Sequence, residues 1–391
     1  MLSLRGPLFF FALFLSSLMG CVFMLAPVLP LMVIAPRMYR WITHRMLAAW
    51  LTLPPALLEL LLGVRVRVWG DWFEPNESSL ILMNHRTRLD WMFLWSCLMR
   101  RSELTLLKIC LKSALKSVPG FGWAMQVGCY LFLSRRWMVD RSHLSNILKF
   151  FCHIREPVQI LLFPEGTDLT EHTRSRSDEF AEKHSLPKYE FVLHPRTTGF
   201  TFMLETLRQG GNLDALHDIT VAYPQLIPQT EGHLLAGQFP EEIHFHLQRF
   251  PVASVPEDSA GLQIWLQDLW KQKEQRLQEF YCSRPPGFHP DMSQNRTQMG
   301  FQQAPDCQRV KSELEAEGRV WMLQAASLLY WSVFCFLSCL SLWLWTTVRF
   351  YFLLVAIFFL FQQPITGGVE MMEVACHRLW SREEKVEEKV E

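Results

Sequence analysis

From residue 7 to residue 36 the chain carries no charged side chain, and that run of 30 residues limits the fold more than any other feature. A helix of about 20 apolar residues crosses a bilayer core, so a transmembrane helix is predicted here. The run is too long for a signal peptide and lacks a convincing small-residue cleavage site, which favours an uncleaved anchor. A second run, 46–63, holds Pro54, Pro55 and Glu59; it either spans or lies kinked in the interface. Near the other end, 321–348 is uncharged, and 350–361 continues the pattern after Arg349. One crossing is expected there, with a tight hairpin of two as the alternative, because the second piece is short by itself. The stretch 381–391 reads as a solvated, charged end. The chain thus divides into a membrane region, 1–63, a domain-sized block, 64–300, and a second membrane region with its tail, 301–391.

Composition narrows the function classes. Half of the 391 residues are apolar, and Lys+Arg and Asp+Glu number 38 each, so nothing draws the chain to nucleic acid. The 51 aromatic residues suit a protein partly solvated by lipid. Ten cysteines without a C-x-x-C pair argue against a zinc ribbon or a disulfide framework.

Within the block, Val64, Val66 and Val68 alternate with polar or bulky neighbours like a half-exposed strand. The runs 79–83, 130–133, 159–163 and 219–223 are nearly continuously apolar, as strands covered on both faces are. Helical patterns lie at 90–99, 137–153, 198–207 and 262–281. Strand and helix in alternation predict an α/β fold with a largely parallel sheet flanked by helices.

Each buried run ends in residues that do chemistry: Asn84-His85-Arg86-Thr87-Arg88-Leu89-Asp90, then Ser134-Arg135-Arg136, then Pro164-Glu165-Gly166-Thr167-Asp168, then Pro224. Ligands of open α/β sheets bind beyond the carboxyl ends of the strands, so the four tips are candidates for one pocket. His85 and Asp90 are the sharpest pair. On one regular helix they would sit about 140° apart; with His85 in a loop and Asp90 in the first helical turn, the carboxylate reaches a ring nitrogen and leaves the other as a general base. A surface histidine beside an acidic helix start is the competing reading. Between Arg86 and Arg155 there are 12 Lys/Arg and three acids, a balance of +9 in a neutral chain, which points to an anionic headgroup or a nucleotide-bearing co-substrate. A solvated basic face is the bland explanation for Arg100, Arg101, Arg141 and Lys149, whereas Arg135 stands at a strand tip. His244 and His246, two apart on a probable strand, lack a third ligand and read as structural, so no metal is expected. Gly-x-Ser-x-Gly and P-loop patterns are absent, which disfavours a hydrolase and a kinase. Pro119-Gly120-Phe121-Gly122 marks a turn.

Asn84-His85 with Asp90, Phe132-Leu133-Ser134-Arg135, Phe163-Pro164-Glu165-Gly166-Thr167 and Val221-Ala222-Tyr223-Pro224 stand in that order over 141 residues. They resemble the four sequence blocks of the glycerolipid acyltransferases that include 1-acylglycerol-3-phosphate acyltransferase. The stretches 83–95, 118–126 and His194-Pro195-Arg196-Thr197-Thr198-Gly199-Phe200 are more particularly similar to the lysocardiolipin-acylating branch. The resemblance implies a multi-pass enzyme of the endoplasmic reticulum membrane, with 64–300 as its catalytic domain. It would transfer a fatty acyl group from acyl-CoA, a co-substrate, to the hydroxyl of a lysophospholipid, with no cofactor or metal. It makes His85 the base and Asp90 its orienting acid. Arg135, Glu165, Gly166 and Thr167 would bind the acceptor, Lys112 would hold phosphate, and Pro224 would shape the acyl-donor pocket.

One departure bears on the acceptor. Phosphatidic-acid-forming members typically place Arg after Glu-Gly-Thr, and this chain has Asp168. An aspartate would repel a terminal phosphate dianion, so a phosphodiester acceptor is expected: lysocardiolipin, lysophosphatidylinositol or lysophosphatidylglycerol. Acylation of lysophosphatidic acid, and a non-catalytic lipid-binding role, are the alternatives. Arg37, Arg40 and Arg45 after the first crossing favour a cytoplasmic side, while Arg65 and Arg67 after the second run make the charge rule ambiguous. Asn76-Glu77-Ser78 and Asn295-Arg296-Thr297 are glycosylation acceptor patterns.

Overall fold

The computed structural model describes residues 3–282 and 307–387, so Gly300 and the Asn295-Arg296-Thr297 pattern lie outside the described residues. Seven strands form one sheet in the order β1 (Arg65–Gly70), β7 (Glu242–Pro251), β6 (Ala215–Ala222), β2 (Ser79–Met83), β5 (Gln159–Leu162), β3 (Leu107–Lys112) and β4 (Leu131–Leu133). Every pair is parallel except β6 with β7, so β1 and β7 run against the other five. The carboxyl ends of β2, β5, β6, β3 and β4 therefore share one edge.

Period-2 alternation sends successive side chains to opposite faces, and each face of this sheet has its own core. Ile81, Met83, Ile109, Leu161 and Ile219 join a cluster with Phe9, Val22, Trp50, Trp95, Trp331 and Phe359, which come from the apolar helices at both ends of the chain and from the Asp90–Arg101 helix. Leu80, Leu82, Ile160, Leu162 and Leu216 face the Trp137–Ile154, Thr197–Gln209 and Ser259–Cys282 helices through Ile147, Phe200 and Trp270. The two membrane regions thus share a core with the central block.

Three helical stretches are long and apolar enough to cross a membrane: Arg5–Ile34, Ala316–Leu344 and Thr346–Thr366. The last two are separate helices at the C-terminal side, each long and apolar enough by itself, where the sequence predicts one crossing or a hairpin of two. The helix after Trp345 runs on past Phe361 to Thr366, which supplies the length that the apolar run by itself lacked. The 46–63 run is not among them: it breaks into the end of the Pro36–Leu51 helix, a turn at Leu53–Ala56 with Pro54 and Pro55 in its first turn, and a π turn at Leu57–Leu61. Within the charged stretch 381–391, Ser381 to Glu387 continue the Val369–Glu387 helix.

Local pattern misses several elements, among them β3 and the Glu171–Lys183 helix. β3 carries Lys108 as its second residue, a charge that contradicts a buried strand. The ammonium is nonetheless buried, giving a hydrogen bond to the Gly128 carbonyl at 2.7 Å and lying 3.0 Å from His44 Nε2. The Glu171–Lys183 helix is charged almost all round; Thr170 starts it with a capping box to Thr173. The expectation of a solvated face fails for Arg100, which pairs with Glu59 and Glu317, and for Arg101, which reaches the Val68 carbonyl at 3.0 Å and lies over Trp72.

Candidate active site

β2 ends at Met83, and Asn84 anchors the loop beyond it. Its side chain copies a ladder rung: Nδ2 donates to the Val221 carbonyl at 3.1 Å, and Oδ1 accepts from the Val221 N–H at 2.8 Å. The chain then loops through His85 to Thr87 before the Asp90–Arg101 helix begins. This break places the two residues as the loop-plus-first-turn reading requires, with His85 Nδ1 3.0 Å from Asp90 Oδ2.

The pair is embedded asymmetrically. The Asp90 side chain is 0% exposed and the His85 side chain 15%. Asp90 Oδ2 also accepts from the Thr87 N–H at 2.8 Å, and Oδ1 accepts from Thr87 Oγ1 at 3.3 Å and from the Tyr223 hydroxyl at 2.5 Å. Burial and the facing Asp90 charge push the Tyr223 phenol well above its ordinary range, so it stays a donor. The His85 ring stacks on Phe163 at 4.2 Å between centroids, which holds its plane. With Nδ1 engaged by a buried carboxylate, Nε2 is the nitrogen left to take a proton.

Glu165, at the β5 tip, faces inward. Oε1 accepts from the His85 N–H at 3.1 Å and the Trp270 indole at 3.2 Å, and Oε2 accepts from the Leu193 N–H at 3.1 Å. Burial pushes its carboxyl up to about 7 against those donors. Its oxygens are thus committed to the protein, clamping the β2 tip, the 193–196 segment and the Ser259–Cys282 helix together. Gly166 has φ +74, where a side chain is strained. Thr167 is half-buried, with Oγ1 3.4 Å from Asp168. Pro224 follows Tyr223 at the β6 tip and is half-buried.

Lys112 and Arg135 lie at the same edge but farther off. Both are exposed, at the ends of β3 and β4, two and three ladder positions from β2, or about 10 and 14 Å by strand spacing. Arg135 has a left-handed φ of 63°, held by the Ser134 N–H and hydroxyl, each 2.7 Å from Asp140. The four tips thus share an edge, with three of them adjacent and the β4 tip remote. Asp168 departs from the premise of free repulsion: its carboxylate accepts from Gln229 Nε2 at 3.1 Å and lies 3.6 Å from Arg88.

Thr87, Phe163, Tyr223, Trp270 and Gln229 were not singled out by sequence. Phe163 and Tyr223 carried a signal, inside the third and fourth blocks; Trp270 is 105 positions from Glu165, and nothing in the sequence couples them. His244 packs between Trp69 and Phe280, and burial pushes the His246 imidazole down to about 4. Among the described residues no group of three His, Cys, Asp or Glu could hold a metal ion.

A family model described as "Acyltransferase" matches residues 65–224, the span that holds the dyad, and "Acyltransferase C-terminus" matches 233–298. "Lysocardiolipin acyltransferase 1" of Danio rerio is 63% identical over 98% of this chain and 98% of its own length. The chain belongs to the 1-acylglycerol-3-phosphate acyltransferase family. The Mus musculus "Lysocardiolipin acyltransferase 1" is 54% identical over 97% of this chain and 96% of its own length. "Lysophosphatidylinositol acyltransferase 10" of Caenorhabditis elegans is 42% identical over 64% and 65%. At the carboxyl edge of the sheet, the buried Asp90 and the partly exposed His85 stand in contact, a carboxylate–imidazole pair.

Proposed function

We propose that this acyltransferase moves a fatty acyl group from acyl-CoA to the free hydroxyl of an anionic lysophospholipid, of the lysocardiolipin, lysophosphatidylinositol or lysophosphatidylglycerol kind. The observation that carries the reading is the 3.0 Å contact between His85 Nδ1 and an Asp90 shut away from solvent, at a sheet edge that also displays Lys112 and Arg135. His85 Nε2 takes the acceptor's proton as its oxygen attacks the thioester carbonyl. Asp90 stabilises the imidazolium, which returns the proton to the departing thiolate. A thioester is already activated, so placing two bound substrates and moving one proton suffices. Glu165, Gly166 and Thr167 shape the floor of the site, Pro224 borders it, and Lys112 and Arg135 attract anionic parts of the two substrates. The three apolar stretches support a multi-pass protein, for which we propose the endoplasmic reticulum membrane.

The test is acyl transfer by the purified full-length chain from labelled acyl-CoA across a panel of acceptors. His85→Ala is expected to lower kcat by about 10³-fold while folding and membrane insertion persist. Unchanged incorporation removes the base assignment. Phosphodiester acceptors are expected to outrun lysophosphatidic acid, and the reverse order supports phosphatidic acid formation instead.

A further inference from the structure

Resting on the proposed acyl transfer, we infer that Arg196 grips the acceptor phosphate adjacent to the reacting hydroxyl and so sets the preference for anionic lysophospholipids. In such an acceptor the hydroxyl oxygen and the phosphorus are four bonds apart, which holds them within about 5 Å of each other. A cation that positions this phosphate must therefore stand beside the tip that carries His85.

The cations at the edge sort by that requirement. Arg86 is committed to the Leu169 carbonyl at 3.3 Å and to Gln229 at 3.1 Å, and Arg88 faces Asp168. Lys112 and Arg135 lie two and three ladder positions from β2. Arg196, the residue before the Thr197–Gln209 helix, packs on the β5 tip, next to the β2 tip. Its side chain lies across Gly166: a Cβ on Gly166 would stand 3.4 Å from Arg196 Cδ and Nε and 3.7 Å from Cζ. The backbone beneath it is pinned, with the Arg196 N–H donating to the Pro164 carbonyl at 2.8 Å and the Leu193 N–H to Glu165, the same carboxylate that accepts from the His85 N–H. Arg196 is exposed, and among the described residues no hydrogen bond or ion pair engages its guanidinium.

A planar, permanently charged fork, fixed at its base and open at its end, suits two oxygens of one phosphate. Gly166 contributes by having no side chain to lift that fork. Its left-handed backbone turns the tip, and the bare Cα gives the guanidinium stem a floor.

The experiment compares the wild-type chain with Arg196→Ala, Arg196→Lys and, as a charge control on the exposed face of the Glu171–Lys183 helix, Arg176→Ala. Lysophosphatidylglycerol and oleoyl-CoA are varied in turn. Losing a charge-assisted pair is expected to raise the acceptor KM about 10- to 100-fold for Arg196→Ala, with kcat and the oleoyl-CoA KM within about threefold. Arg196→Lys, which keeps the charge without the fork, is expected to recover part of the loss. Arg176→Ala is expected to match wild type. A rise in the oleoyl-CoA KM alone, an equal change in all parameters, or no change overturns the assignment. Binding of labelled lysophosphatidylglycerol without oleoyl-CoA separates this inference from the function beneath it. If wild type transfers no acyl group, the proposed function fails, and Arg196 is judged on binding: weaker binding by Arg196→Ala upholds it, and equal binding overturns it.

Discussion

Asp90 distributes its two oxygens among four donors, and only one of them, on His85, belongs to a partly exposed residue. Each hydrogen bond from Thr87 and Tyr223 draws charge from the carboxylate and weakens its hold on an imidazolium. Tyr223→Phe removes the donor to Oδ1 and concentrates the charge facing His85. It also leaves a buried carboxylate oxygen short of a donor, so the partner that orients the imidazole is held less firmly, and kcat is expected to fall about three- to tenfold with the acceptor KM unchanged. An unchanged kcat contradicts this positioning role.

At the scale of elements, the Pro119 to Gly122 turn does more than reverse the chain: it is where the first apolar helix docks on the catalytic block. Gly120 has φ +75, and a Cβ there would stand 2.7 Å from the Leu18 nitrogen and from Ser17 Oγ. Cys21 Sγ donates to the Gly120 carbonyl at 3.0 Å, and the Trp50 indole reaches Ser16 at 3.0 Å. Gly63 has nearly the same φ, +76, but a Cβ there would meet nothing within 4 Å. Gly63→Ala is therefore expected to cost only backbone strain, about 1 kcal/mol. Gly120→Ala adds a backbone clash and is expected to cost about 3 kcal/mol or more. Thermal unfolding in detergent compares them, and equal losses would show that the glycine serves the turn and not the docking.

Across the whole molecule, charges that local pattern assigns to topology are paired within the protein, Arg65 and Arg67 inside the domain and Arg40 between a membrane region and the domain. Arg40 is buried against Glu156 at 2.7 Å, Arg65 and Arg67 both pair with Glu242, and Lys116 pairs with Glu370 of the Val369–Glu387 helix. Glu373 of the same helix is buried among Arg40, Lys108, Glu156 and Glu370, with Oε1 lacking a hydrogen-bond partner. Burial pushes its carboxyl up to about 7, as it does Glu165. A carboxyl raised on folding favours the native state fully below its ordinary range near 4.5, and that contribution fades as pH rises through 7. The unfolding temperature is thus expected to fall between pH 5 and pH 8. Glu373→Gln, which cannot ionise, is expected to raise it by a few degrees at pH 8 and flatten the slope. A variant slope as steep as wild type would show that Glu373 is not the group responsible.

The apolar spans, the parallel strands other than β3 and the order of the polar tips were legible in the sequence, because hydrophobic length, period-2 burial and strand-end chemistry are local properties. His85 and Asp90 were legible as a pair because one loop joins them. Local pattern could not show that Lys108 sits inside a strand, that Arg100 and Arg40 are buried pairs, or that the Glu165 oxygens are taken by the protein, since each partner lies tens to hundreds of positions away. Nor could it rank the cations at the sheet edge. Packing lays Arg196 on the β5 tip, adjacent to the tip that carries His85, and strand order puts Arg135 three positions off, although Arg135 is nearer to His85 in sequence. Which charges meet depends on strand order and on burial, and both arise only when the chain is closed into three dimensions.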